Sequence, residues 1–234
     1  MRPVTITAHT GKIQFFKYEG LKTTSNDDGK ITTVTVDALG NKTQTTDAGG
    51  AVSFVYYANG QLKESNYDTN SVKYVIDGWG NKIEMTDPNA GTYKYSYDAF
   101  GQIKTETTPN GTTAYEYDDA GKLIEKTIKG AGNNSLSKYT YNSVNLITES
   151  SFKNIDEGTS IINSFEYDSY KRISKKTETT PYAVFVKELT YDTYGRTLTE
   201  TSFASISGKS SSKKVKHTYQ NRFAWQILDD ATQK

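Results

Sequence analysis

Residues 97–127 read YDAFGQIKTETTPNGTTAYEYDDAGKLIEKT, and the stretch says nearly the same thing twice. Tyr97-Asp98-Ala99-Phe100-Gly101 returns twenty positions later as Tyr117-Asp118-Asp119-Ala120-Gly121. Ahead of each copy the residues alternate: Tyr93, Tyr95 and Tyr97 enclose Lys94 and Ser96, and Tyr115 and Tyr117 enclose Glu116. A period of two marks a strand with one covered face, whereas a helix needs apolar residues every three or four positions. Asp-x-x-Gly then supplies a corner. The Asp side chain accepts hydrogen bonds from backbone N–H groups just ahead of it, and two ordinary residues fit a type I turn. Gly takes the left-handed position that closes a three-residue hairpin with a G1 bulge. The chain returns as a second strand, Gln102 to Glu106 or Lys122 to Lys126. Each copy therefore predicts strand, tight turn, strand and looser loop.

The same unit recurs along the chain. With the Tyr position as anchor, copies begin at Val36, Tyr56, Ile76, Tyr97, Tyr117, Tyr141, Tyr167, Tyr191 and Tyr219, and a weaker copy begins at Tyr18. The predicted turn residues are Asp37 with Gly40, Asp77 with Gly80, Asp98 with Gly101, Asp118 with Gly121 and Asp192 with Gly195. Asn145 and Lys171 replace the Gly in two copies. The lysine is expected to cost about 1 kcal/mol or to force another turn. Tyr57 and Gln220 replace the Asp, so those corners are expected to lose a side-chain cap. Later copies are longer, and the added residues fall in 129–137, 153–160 and 205–214, read as loops at one end of the hairpins. The anchors Tyr56, Tyr97, Tyr117, Tyr141, Tyr167 and Tyr191 are expected to line one face.

The fold class that follows is all-β. It is a repeat architecture of about ten stacked antiparallel hairpins, over roughly 16–221, forming a curved or spiralling sheet within a single domain of 1–234. Residues 222–234 are read as a closing strand or a cap, and Val4 to Thr7 as an edge strand.

Composition supports a sheet rather than a closed globule. Hydrophobic residues make up 34%, but 18 Tyr and 9 Phe can cover a face while keeping a polar tip wet. Mean hydropathy is −0.71. The 28 basic and 27 acidic residues create no global field to attract nucleic acid or anionic lipid. Without Cys there is no disulfide, thiolate metal site or thiol nucleophile. Met1 to Gly11 lacks the apolar core of a signal peptide, and no stretch has the length or apolarity for membrane insertion as a helix.

Few residues suggest chemistry. His9 and His217 stand near opposite ends with no nucleophile pattern beside them, and both are read as strand surface residues. Glu64, Glu84, Glu125 and Glu149 fall eight residues after their anchors, and Glu106 and Glu200 fall nine after theirs. Read as one column, equivalent carboxylates stand about 9–10 Å apart across two strand spacings. A glycosidase needs two carboxylates in unlike environments, which a repeated column does not provide. The column is read instead as a charge ladder neutralised by Lys63, Lys82, Lys104, Lys122 and Lys126. Asp87-Pro88-Asn89-Ala90-Gly91 is read as a loop turn. Lys209, Lys213, Lys214 and Lys216 are read as a solvated basic loop. No catalytic residue, cofactor or metal site is expected.

Tyr-Asp-x-x-Gly at a period near twenty resembles the YD repeat of the RHS-repeat proteins, a family that includes bacterial polymorphic toxins, wall-associated proteins, shell subunits of Tc insecticidal toxins and teneurins. The resemblance covers about Phe16 to Asn221. It implies a spiralling sheet of stacked hairpins that in longer members closes into a shell around a toxic cargo. By that resemblance the expected role is structural and non-catalytic: a wall segment of a secreted or cell-surface protein, partnered by neighbouring repeats or toxin cargo. The alternative is a stand-alone module binding carbohydrate or protein, in which regularly spaced aromatics stack on glycan rings.

Overall fold

A computed structural model describes residues 4–220 and 223–233, with side chains through Tyr219. The described chain contains strands and turns and no helix. It divides into two compact units, 1–109 and 110–234. In the first, eleven strands run from Thr5–Thr7 to Ile103–Thr108, and each pairs antiparallel with the next in sequence. In the second, ten strands from Gly111–Tyr117 to Phe223–Gln233 are paired in the same way. The all-β hairpin repeat read from the sequence is the architecture of both.

The corner is built as its residues dictate. In the first regular copy the Asp37 N–H donates to the Asn41 carbonyl (2.8 Å) and the Gly40 N–H to the Asp37 carbonyl (3.1 Å). Gly40 closes the loop at φ 89°. The same pair of backbone bonds recurs at Asp77, Asp98, Asp118, Asp168 and Asp192. Lys171 occupies the glycine position without changing the turn: its φ is 65° and its N–H reaches the Asp168 carbonyl at 3.0 Å. A β-carbon there is strained, so Lys171→Gly should stabilise the protein by about 1 kcal/mol, read as a higher denaturation midpoint. A lower midpoint would show that the lysine side chain outweighs its backbone strain. Tyr57 also leaves its turn intact, because Asn59 Oδ1 accepts the Gln61 N–H (3.1 Å) that an Asp would have taken. That corner therefore keeps a side-chain cap. At Gln220 the turn residues 221–222 lie outside the described residues.

One feature of every regular hairpin was not anticipated. Tyr97 stands opposite Ile103, but Ser96 stands opposite Thr105, so Lys104 has no opposite residue. The same bulge leaves Thr43, Lys63, Ile83, Ile124, Thr148, Ser174 and Leu198 unopposed, each seven residues after its anchor. The weak copy at Tyr18 lacks it and turns tightly, with Glu19 opposite Lys22.

The bulge decides which face each residue takes, since directly opposed residues share a face. Glu64 and Glu84 oppose Val55 and Val75, one position before their anchors, whereas Glu106 and Glu200 oppose Tyr95 and Leu189 on the anchor face. The six glutamates do not form one column. Their neutralising partners also differ from those expected. Glu84 pairs with Lys94 (3.8 Å), Glu125 with Lys138 (3.1 Å) and Glu200 with Lys187 (2.9 Å).

Two further sequence readings are corrected. Residues 205–214 are not a loop: Thr197–Ile206 and Lys209–Gln220 are long paired strands joined through Ser207 and Gly208. Lys209, Lys213, Lys214 and Lys216 are therefore strand residues, because the added residues continue the backbone ladder on both sides of a tight turn. His9 lies in a turn rather than a strand, while His217 is on a strand. Residues 223–233 form a strand on Lys209–Gln220, the closing-strand alternative. Asp87 Oδ1 caps its expected turn by accepting from Asn89 (2.8 Å) and Ala90 (3.2 Å).

No thick core forms. Among the described residues only Val215 and Ser135 are nearly fully buried, at 5% and 4% exposure. Most strand residues are half-buried, as expected of sheet faces without a second layer.

Candidate functional site

The most organised polar feature is the junction between one hairpin and the next. A bulge interrupts the ladder and leaves a carbonyl beside it short of a strand partner. In each case observed that carbonyl belongs to the residue just before the bulge, and the anchor tyrosine of the following copy donates to it. Tyr56 reaches the Lys42 carbonyl (2.7 Å), Tyr97 that of Lys82 (2.7 Å) and Tyr141 that of Leu123 (2.8 Å). Tyr167 reaches Ile147 (2.7 Å), Tyr191 reaches Ile173 (2.7 Å) and Tyr219 reaches Thr197 (2.6 Å). The anchor is thus more than a cover for the sheet. Its ring packs on the previous return strand, and its hydroxyl replaces the missing ladder bond.

The turn aspartate extends the junction. Asp192 Oδ1 accepts the N–H of Tyr194 (2.9 Å) and of Arg196 (2.9 Å), and its Oδ2 accepts from Arg196 Nε (2.7 Å). The Arg196 guanidinium then lies 4.2 Å from the centre of the Tyr219 ring. Asp168 and Arg172 repeat this arrangement beneath Tyr191, at 4.3 Å. Asp118 and Lys122 repeat it beneath Tyr141, at 5.0 Å. In the first unit Asn41 and Asn81 take the cation's place, donating to Asp37 (2.9 Å) and Asp77 (3.0 Å). Lysines expected to neutralise glutamates also serve rings here: Lys82 lies 4.9 Å from Tyr95 and Lys63 5.6 Å from Tyr57.

These contacts favour the ionised form of Asp37, Asp77, Asp118, Asp168 and Asp192. Side-chain donation from Asn41 lowers the Asp37 pKa, and Asn81 lowers that of Asp77. At Asp118 the Lys122 backbone N–H is the main cause. At Asp168 and Asp192 desolvation opposes ionisation, and it is outweighed by the hydrogen bonds from Arg172 and Tyr170, and from Arg196 and Tyr194, together with the guanidinium charges. Folded values below the unfolded ones give stability that is complete above the ordinary aspartate value of 3.8. That stability is lost as pH falls through the lowered folded values. Thermal midpoints measured down a pH series should hold level above about pH 5 and drop below about pH 4. A flat acid limb would contradict the capping role.

Among the described residues no cluster of His, Asp or Glu could hold a metal ion. The turn carboxylates are consumed by their own backbone, and the anchor hydroxyls by a neighbouring carbonyl. The geometry joins hairpin to hairpin.

The RHS Repeat family model matches residues 77–113 and 97–133. The matched residues, 77–133, carry RHS repeats. Among solved structures it is similar to TcdB2-TccC3, with 14% identity and a TM-score of 0.58 over 93% of this chain and 17% of that one. TcdB2-TccC3-TEV matches with 13% identity and a TM-score of 0.57 over the same shares, 93% and 17%. TcdB2-TccC3 without its hypervariable C-terminal region matches with 12% identity and a TM-score of 0.56, over 93% and 16%. At these identities the likeness concerns the fold. The chain spans about one-sixth of the length of the TcdB2-TccC3 chains it matches, 17% of the first two. No curated protein matches the sequence.

The carboxyl and glycine positions of the turns were legible from spacing, and the structure places each pair at one corner. The tyrosine junction was missed, although the residues flanking it carry a signal: a donor or cation recurs five positions after many anchors, as in Asn41, Asn81, Lys122, Arg172 and Arg196.

Proposed function

We propose that this chain is a non-catalytic structural element, a wall segment of a larger toxin-encapsulating or cell-surface protein. The observation that supports it most is the hydroxyl-to-carbonyl bond from six anchor tyrosines to the preceding hairpin, which commits the best-placed polar groups to joining repeats. The fold shared with TcdB2-TccC3 agrees with that role. On this reading its partners are neighbouring repeats or an enclosed cargo, and its setting is secreted or at the cell surface. A stand-alone module for carbohydrate or protein is the second reading, favoured by the exposed aromatics at the hairpin tips, among them Trp79 and Phe100.

Two measurements separate the readings. Adding one consensus hairpin ahead of Thr5 should raise the thermal midpoint, because a wall segment gains stability from each neighbour. An unchanged midpoint would count against it. A glycan array probed with the labelled chain should show no saturable retention, and saturable binding would favour the binding module.

A further inference from the structure

The residue three positions after the anchor stands at the tip of its turn, and in six of the eight regular turns it is a large apolar or aromatic residue, Asn59 and Ala120 being the exceptions. In the first unit Leu39, Trp79 and Phe100 are 84%, 92% and 89% exposed. In the second, Val144, Tyr170 and Tyr194 are 48%, 77% and 83% exposed. Single exposed apolar residues are ordinary, but a row of them marks an interaction surface. The row is also rigid. The backbone N–H of Leu39, Trp79, Phe100, Tyr170 and Tyr194 is held by the aspartate two residues earlier, at 2.8–2.9 Å. A backbone fixed in this way loses little entropy on binding.

The period of the row selects the partner. Trp79 and Phe100 belong to consecutive copies in one unit, and Tyr170 and Tyr194 to consecutive copies in the other. Consecutive copies are two strands apart, about 9.6 Å. A ring entering midway lies about 4.8 Å from each neighbour, within the ~4.5–7 Å range of paired aromatics. Filling successive gaps requires a partner with rigid apolar side chains at the same period, and a second copy of this chain has them. We propose that the tip row is a self-association surface in which the tips of one copy interleave with those of a second.

Charge selects the pairing. The first unit's turns at 37–41, 57–61, 77–81 and 98–102 contain Asp37, Asp77 and Asp98 and no basic residue. The second unit's turns set Lys122, Lys171, Arg172 and Arg196 against Asp118, Asp119, Asp168 and Asp192. First-unit tips therefore repel their own kind and face second-unit tips without penalty.

The test is sedimentation equilibrium of the full chain over a wide concentration range, with circular dichroism confirming that each variant is folded. Wild type should form a reversible dimer. The pair Trp79→Ser with Phe100→Ser should raise the dissociation constant at least tenfold, and Tyr170→Ser with Tyr194→Ser should do the same. A mixture of the two double variants should associate more tightly than either alone, since one intact contact remains between unlike copies. Ile6→Pro, on the exposed edge strand Thr5–Thr7, should leave the constant unchanged. Three results would overturn the proposal. One is a wild type monomeric at all concentrations, including one that responds only to an added soluble glycan. Another is association that survives both double variants, and the third is association abolished by Ile6→Pro alone.

Discussion

Gly111→Ala is expected to lower stability by about 3 kcal/mol, one of the largest effects of any single methyl group in the chain. Gly111 has φ 147°, a conformation L side chains rarely adopt, and a β-carbon there meets the Lys129 carbonyl and the Gly130 Cα. Both obstacles are backbone, so no side chain can turn aside to relieve the contact. The partner glycine is equally constrained: Gly111 stands opposite Gly130, whose own β-carbon would meet the Asn110 carbonyl. The comparison that isolates packing is Gly101→Ala. Gly101 has φ 80° with nothing within 4 Å of a β-carbon, so that variant should lose only about 1 kcal/mol of backbone strain. Urea midpoints of the two variants give the answer. Equal losses would mean that the close approach at Gly111 and Gly130 relaxes freely.

Gly111 also marks where sequence reading stops. It occupies TPNGT at 108–112, which reads as a plain turn, and nothing local says that a second glycine nineteen residues later presses against it. The corner at Asp98 and Gly101 was legible because all its contacts lie within five residues. Even its exceptions follow local rules, with Lys171 accepting the strained conformation of the glycine it replaces. The bulge was not legible, because it is a relation between two strands and leaves no residue type behind: the bulged position holds Thr43, Lys63, Ile83 or Leu198. Missing it merged glutamates from two faces into one column. It also concealed why the anchor is so often tyrosine. A covered face alone is served equally well by Phe, Val or Ile, whereas a carbonyl released by a bulge needs a hydroxyl.

That requirement makes the tyrosine-to-phenylalanine series the sharpest test of the repeat. Tyr141→Phe, Tyr167→Phe and Tyr191→Phe each keep the ring and delete one bond, to Leu123, Ile147 and Ile173 respectively. Each should cost about 1 kcal/mol, and more where the acceptor is left shielded from water. The sites are about 10 Å apart with separate acceptors, so the triple variant should lose roughly 3–4 kcal/mol with little coupling. The natural exceptions give the opposite prediction. Val36 follows a hairpin without a bulge and has no released carbonyl to serve. Ile76 follows the bulge at Lys63, so the Leu62 carbonyl receives no anchor hydroxyl. Ile76→Tyr should therefore raise stability by about 0.5–1 kcal/mol, while Val36→Tyr, with no such acceptor, should not. If Ile76→Tyr gains nothing and the phenylalanine variants are silent, the tyrosines act only as cover and the junction between repeats rests on the backbone ladder alone.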